Sequence, residues 1–131
     1  MKKLSKKLTS RWSLKAPLYL KDTDKRYAGH LKQLQTNGFS DAETWGLDAV
    51  ISEFILPRLI RFKEVNNGIP YGLTSEHWDA ILDQMIFSFE WNIHHEDEKY
   101  DVLTEDERNL NWDKYKLGMD KFSKHFRDLW W

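Results

Sequence analysis

Trp78, Ile81, Leu82, Met85, Ile86, Phe89 and Ile93 recur at steps of three and four along one short stretch. Only an α-helix, with 3.6 residues per turn, brings such residues onto one face. Phe87 and Trp91 add apolar mass on a second face, so this helix belongs near the centre of its fold. Leu47, Val50, Ile51, Phe54, Ile55, Leu59 and Phe62 draw a second stripe, and Trp112, Tyr115, Met119, Phe122, Phe126 and Leu129 a third. No segment alternates apolar and polar residues at period two, the signature of a half-buried strand. The expectation is an all-α fold: an antiparallel bundle of three long helices plus one or two short N-terminal helices, in a single domain over 1–131.

The start and stop signals agree with the stripes. Ser40-Asp41-Ala42-Glu43 and Thr104-Glu105-Asp106-Glu107 are capping boxes, in which each end satisfies an orphan backbone N–H of the other. Thr74 or Ser75 opens the central helix. Asn66-Asn67-Gly68-Ile69-Pro70-Tyr71-Gly72 carries the residues of a turn, and Asn37-Gly38 suits a left-handed cap. Pro57 lacks an N–H for the carbonyl of Glu53, which predicts a kink or break near Leu56. Gly118 falls inside the third stripe, where it costs about 1 kcal/mol relative to alanine, and marks close approach by another helix. Upstream, Leu4, Leu8 and Trp12 share one helical face, Lys15-Ala16-Pro17 is a break, and Thr23 to Gln35 is a short helix with Tyr27, Leu31 and Leu34 inward.

Composition sets the limits. A chain of 131 residues is long enough to bury most of its apolar surface without covalent staples. It is 15% aromatic, and large rings let a rather polar helical chain hold a core. There is no cysteine, which excludes disulfides and thiolate metal sites. No apolar run is long enough for a membrane span, and no apolar segment of a secretory signal follows the N-terminal lysines. The expected location is the cytoplasm, with no membrane partner. The net charge is −1 but unevenly spread. Lys2, Lys3, Lys6, Lys7, Arg11 and Lys15 make residues 1–15 a basic arm. Glu96, Asp97, Glu98, Asp101, Glu105, Asp106 and Glu107 crowd one acidic stretch.

Few constellations offer chemistry. His94 and His95 project about 100° apart on a helix and do not converge on one metal, and the i,i+4 histidine spacing of a zinc helix is missing. Carboxylates on the central helices, such as Asp48, Glu53, Asp79, Asp83 and Glu90, lack the Glu-x-x-His partners of a two-metal site. No phosphate loop, serine elbow or cysteine nucleophile is present. The expectation is a non-enzymatic protein without metal or cofactor. Arg58 and Arg61, three residues apart, put two guanidinium forks on one face, with Lys63 close by and Tyr71 on the next loop. Those residues suit a small anionic ligand such as a cyclic nucleotide, its phosphate on the arginines and its base on Tyr71 or Trp78. The plain alternative is a set of cations at a helix C-terminus. Arg11 and Trp12 pair a cation with an aromatic ring, as single-stranded nucleic-acid sites do. Trp130 and Trp131 either pack back on the bundle or form a subunit contact.

Gly38-Phe39-Ser40-Asp41-Ala42-Glu43-Thr44-Trp45-Gly46-Leu47-Asp48 resembles a motif of small uncharacterised proteins of phages and prophages, G-[WF]-S-D-x-[DE]-x-W-x-L-D. The stretches Ile55 to Lys63 and Trp78 to Glu90, and the ending Phe126-Arg127-Asp128-Leu129-Trp130, are similar to that group as well. The resemblance implies a phage-encoded accessory protein in the host cytoplasm and carries no catalytic residues. Combined with the arginine pair, it leads to the expectation of a homo-oligomeric protein that counters host defence by sequestering a nucleotide signal. The alternatives are a module that binds a host or virion protein, and nucleic-acid binding through the basic arm.

Overall fold

The structure, a computed structural model, describes residues 20–130. Those residues contain four α-helices and no strand: α1 (Tyr27–Asn37), α2 (Leu47–Val65), α3 (Ser75–His94) and α4 (Glu105–His125). Short 3-10 turns cover Asp41–Thr44, Glu98–Tyr100 and Phe126–Asp128. The contacts group into two compact units that divide between Val50 and Ile51.

The first unit is built on α1 and the turn after it. Asp24 braces the entry to α1 by accepting from both the backbone N–H and the guanidinium of Arg26. Those contacts hold the Asp24 carboxyl down at about 2, the side-chain hydrogen bond contributing most. Gly38 closes the helix in a left-handed conformation, φ +86°, with its N–H on the Leu34 carbonyl. Leu34 is buried, and Tyr27 and Leu31 are half-buried beside it. The Ser40–Glu43 capping box forms, the Ser40 N–H donating to the Glu43 carboxylate at 2.6 Å. It opens only a single 3-10 turn. The regular helix begins at Leu47, after Trp45-Gly46, and not at Ser40 as the capping box alone implies.

In the second unit the three long helices pack against one another. Pairs across the α3–α4 seam rise on one helix as they fall on the other: Trp78 with His125, Ser88 with Tyr115, Trp91 with Trp112. The same holds between α2 and α3, where Lys63 meets Asp83 and Ser52 meets Asn92. Both neighbours are therefore antiparallel. Leu59, Trp78, Leu82, Met85 and Phe89 form the buried core, with Ile55, Leu56, Phe62, Met119, Phe122 and Leu129 packed around them. Thr74 and Thr104 cap α3 and α4 by accepting the backbone N–H of His77 and Glu107, each at 3.2 Å.

Gly118 is where α4 comes closest to α3. A β-carbon there would collide with Ser88 Oγ and the Gln84 carbonyl. Ser88 Oγ fills the seam instead and donates to the Tyr115 carbonyl at 2.7 Å. The close approach expected from a mid-helix glycine is present.

Two expectations for α2 need correction. The break expected near Leu56 is not there: α2 is one helix through Pro57. The guanidinium of Arg58 donates to the Phe54 carbonyl at 2.7 Å, next to the carbonyl that the proline ring cannot serve. The buried stripe is also narrower than the apolar residues suggest. Leu47, Ile51 and Phe54 are 52%, 49% and 43% exposed. At about 100° per residue they lie roughly 80° to 140° around the helix from Leu59. Ser52 lies within about 20° of Leu59 and is buried in their place.

Candidate functional site

The connection between α3 and α4 folds over the end of the hairpin and leaves a cleft of about 430 Å³. Three elements supply its walls. The last turn of α3 gives Trp91; the connection gives His95, Glu96, Tyr100, Asp101 and Leu103; the first turns of α4 give Arg108 and Asn111. Each position follows from local sequence. Trp91 lies on the second face of α3, off the core stripe, and its ring meets Trp112 and Tyr115 across the seam. The capping threonine fixes the start of α4 and so places Arg108 and Asn111 one and two turns inside it.

Trp91 organises the cleft. His95, one turn later, stacks on it with ring centres 4.8 Å apart. Tyr115 and Trp112 lie 5.0 Å and 5.8 Å away, and stack on each other at 5.2 Å. Four rings therefore buttress this end of the hairpin, and those of Trp91 and His95 border the cleft. Arg108 Nη2 donates to the Asp101 backbone carbonyl at 3.3 Å, which pins the guanidinium beside the connection. Glu96 lies 3.7 Å from His95 Nε2. The arrangement offers aromatic edges for dispersion, carboxylates and an amide as acceptors, and one guanidinium and an amide as donors.

His94 and His95 take separate partners. His94 Nδ1 pairs with Asp97 at 2.9 Å, whereas His95 Nδ1 lies 3.1 Å from the Asn92 carbonyl. Among the described residues no group of three or more histidine, aspartate or glutamate side chains is placed to hold a metal.

The residues singled out in the sequence lie elsewhere. Arg58 turns back along α2, its guanidinium 3.9 Å from the centre of the Phe54 ring. Arg61 turns forward to Glu64 at 3.0 Å. The two forks thus point opposite ways along the helix and hold different partners. Lys63 crosses to Asp83 on α3 at 2.7 Å, and that hydrogen bond raises the affinity of its amine for a proton. Tyr71 stands in solvent on the turn closed by Gly72, φ +84°. Trp78, expected as an alternative to Tyr71 for stacking on the ligand's base, is 2% exposed in the core and is closed to a ligand. Arg11 and Trp12, with the rest of the basic arm, lie outside the described residues. Trp130 is 75% exposed and does not pack back as one alternative held, and Trp131 lies outside the described residues.

The cleft was only partly visible in the sequence. In the sequence Trp91 stands beside the main stripe of α3 on a second face with Phe87, and Glu96 to Glu107 is an acidic stretch. Nothing linked Trp91 to Arg108 and Asn111, because that link depends on the path of the α3–α4 connection. No helix among the described residues is long and apolar enough to cross a membrane. No family model, no curated protein and no solved structure matches the chain.

Proposed function

We propose that this chain is a non-enzymatic binding module that captures its ligand in the Trp91 cleft. The observation that carries the reading is the cleft itself: a concavity of about 430 Å³, bordered by aromatic rings and a few convergent polar groups. Ligand sites are usually concave, partly aromatic and fitted with a small number of placed donors and acceptors. The rings are held by one another across the α3–α4 seam, so little side-chain freedom is lost when a ligand seats. Capture without turnover also fits a phage accessory protein of the kind the Gly38–Asp48 motif resembles, which would counter host defence by withdrawing a signal or a partner.

Binding at the cleft is testable by titrating the protein with cyclic nucleotides, nucleoside monophosphates and short charged peptides while following the indole N–H signal of Trp91 by NMR. A saturable shift of that signal, weakened at least about tenfold in Asn111→Ala, is the expected result. Folded protein whose Trp91 signal responds to none of these would refute the cleft as a binding site. A thermal shift with cyclic nucleotides that disappears in Arg58→Ala and Arg61→Ala would instead move the function to α2.

A second reading, attachment to a protein partner, is favoured by a separate observation. Leu110, Trp112, Leu117, Phe126 and Trp130 remain exposed on or just after α4. Large apolar side chains left in water at several positions along one element are candidates for contact with a partner. Retention of a specific partner that Trp130→Ala and Phe126→Ala release would support it.

A further inference from the structure

The cleft reading leaves the charge of its occupant open, and we infer that it takes a guanidinium-bearing side chain of a basic peptide in preference to an anionic nucleotide. This inference rests on the cleft being a binding site. Its lining carries two carboxylates, Glu96 and Asp101, against the one guanidinium of Arg108. That guanidinium is turned toward the Asp101 carbonyl. The surrounding chain deepens the imbalance. From Glu96 to Arg108 there are seven acidic residues and two basic ones, Lys99 and Arg108.

Part of that acidity has a local explanation. Glu105, Asp106 and Glu107 fill the first turn of α4, where carboxylates complement the helix dipole. Asp97 is paired with His94. Glu96 reaches His95 only at 3.7 Å, and both Glu96 and Asp101 lie on the lining of the cleft itself. Acidity alone would attract any counterion. The rings select further, because a planar guanidinium both stacks on aromatic faces and engages carboxylates with two parallel donors. The chain already makes one such contact within itself: the Arg58 guanidinium lies 3.9 Å from the centre of the Phe54 ring. A phosphate entering the same space meets the field of Glu96 and Asp101, and the one guanidinium of the lining, Arg108, is already turned toward the Asp101 carbonyl.

Full-length protein would be titrated at about pH 8, where histidine side chains ordinarily carry little charge. The probes are a blocked arginine-containing tetrapeptide, its glutamate counterpart and adenosine monophosphate. The expected result is saturable peptide binding that shifts the Trp91 indole signal, is at least about tenfold tighter than either anion, and weakens with added salt. The double variant Glu96→Gln, Asp101→Asn keeps side-chain shape at exposed positions and is expected to lose about tenfold in peptide affinity. Arg108→Gln separates the two charge readings by sign: peptide binding tightens a few-fold if the occupant is a cation. The inference is overturned if adenosine monophosphate binds more tightly than the peptide and Arg108→Gln abolishes it, in which case the cleft remains a binding site. It is also overturned if the peptide binds without moving the Trp91 signal. If no probe moves that signal, the inference and the reading of the cleft fall together.

Discussion

The α3–α4 hairpin carries a tryptophan against a histidine at each end, and the two ends do different things with them. At one end Trp78 meets His125 edge to face at 5.5 Å, and both residues are buried. At the other, Trp91 stacks on His95 at 4.8 Å on the border of a cleft. Each end also has a histidine bonded to an aspartate three residues on, His125 to Asp128 and His94 to Asp97, both at 2.9 Å. The same side-chain chemistry thus seals one end and leaves the other accessible. What differs is the covering. Leu59 from α2 joins Trp78 in the core cluster, whereas the cleft beside Trp91 is walled in part by the α3–α4 connection. Ring content alone does not reveal a site; the path of the covering chain decides.

Removing each tryptophan is the strongest way to break the comparison. Trp78→Ala leaves a large hole in the core and is expected to cost about 3–5 kcal/mol, enough to unfold much of the protein. Trp91→Ala removes a half-buried ring and is expected to cost less than about half of that, while abolishing ligand response at the cleft. Urea unfolding followed by circular dichroism gives both values. Equal losses would mean that Trp91 is as much a core residue as Trp78.

Gly118 lies between the two ends and sets how closely the hairpin closes. Gly118→Ala forces its new methyl group against Ser88 and the Gln84 backbone. A backbone carbonyl has little room to move, so a loss of about 1–3 kcal/mol is expected despite the better helix propensity of alanine. Pairing it with Ser88→Gly should restore part of the loss, and a double-mutant cycle on urea midpoints measures how much. Because the seam is continuous, the single variant should also widen or distort the cleft.

The sequence made the frame of this hairpin legible and left its two ends indistinguishable. The stripe of α3, the threonine caps and the glycine at the seam are local patterns, and local patterns are what a helix period reports. The direction of α2 was harder. Its apolar residues span too much of the helix circumference for periodicity to choose the buried face, and the polar Ser52, which accepts from Asn92 at 2.9 Å, gives no apolar signal at all. Arg58 and Arg61 looked like a fork on α2 because spacing shows which residues share a face but not where long side chains go. The cleft draws on three elements, and its Trp91 was recognisable only as a ring that no stripe explained.

The two histidine–aspartate pairs sharpen the comparison at lower energy. Asp128→Asn leaves the buried His125 with an altered partner and is expected to cost about 1–2 kcal/mol. Asp97→Asn disturbs a pair in which both side chains are at least 42% exposed, and is expected to cost under about 0.5 kcal/mol. Thermal unfolding of the two variants at neutral pH gives the contrast. If the Asp97 variant proves the more damaging, the connection over the cleft is more rigid than its exposure implies.

The last effect, a contrast in pH dependence, distinguishes the two ties between α2 and α3. Toward the closed end the tie is ionic, Lys63 to Asp83; toward the cleft it is neutral, Asn92 to Ser52. The hydrogen bond to Asp83 raises the Lys63 pKa above its ordinary 10.5. A group whose folded pKa is raised contributes its stability below the unfolded value and loses it as pH climbs through the folded one. Lys63→Met is therefore expected to lower stability at neutral pH, by under about 1 kcal/mol because the pair is partly exposed. The difference from the parent protein should then vanish as pH rises well above 10.5, the ordinary lysine value. Ser52→Ala removes the hydroxyl that accepts from Asn92, is expected to cost about 1 kcal/mol, and should do so equally across the same range, since neither group of that hydrogen bond titrates. Parallel urea titrations of the two variants from neutral to strongly alkaline pH test this. Curves that converge only for Lys63→Met would show that the closed end is the one held by charge.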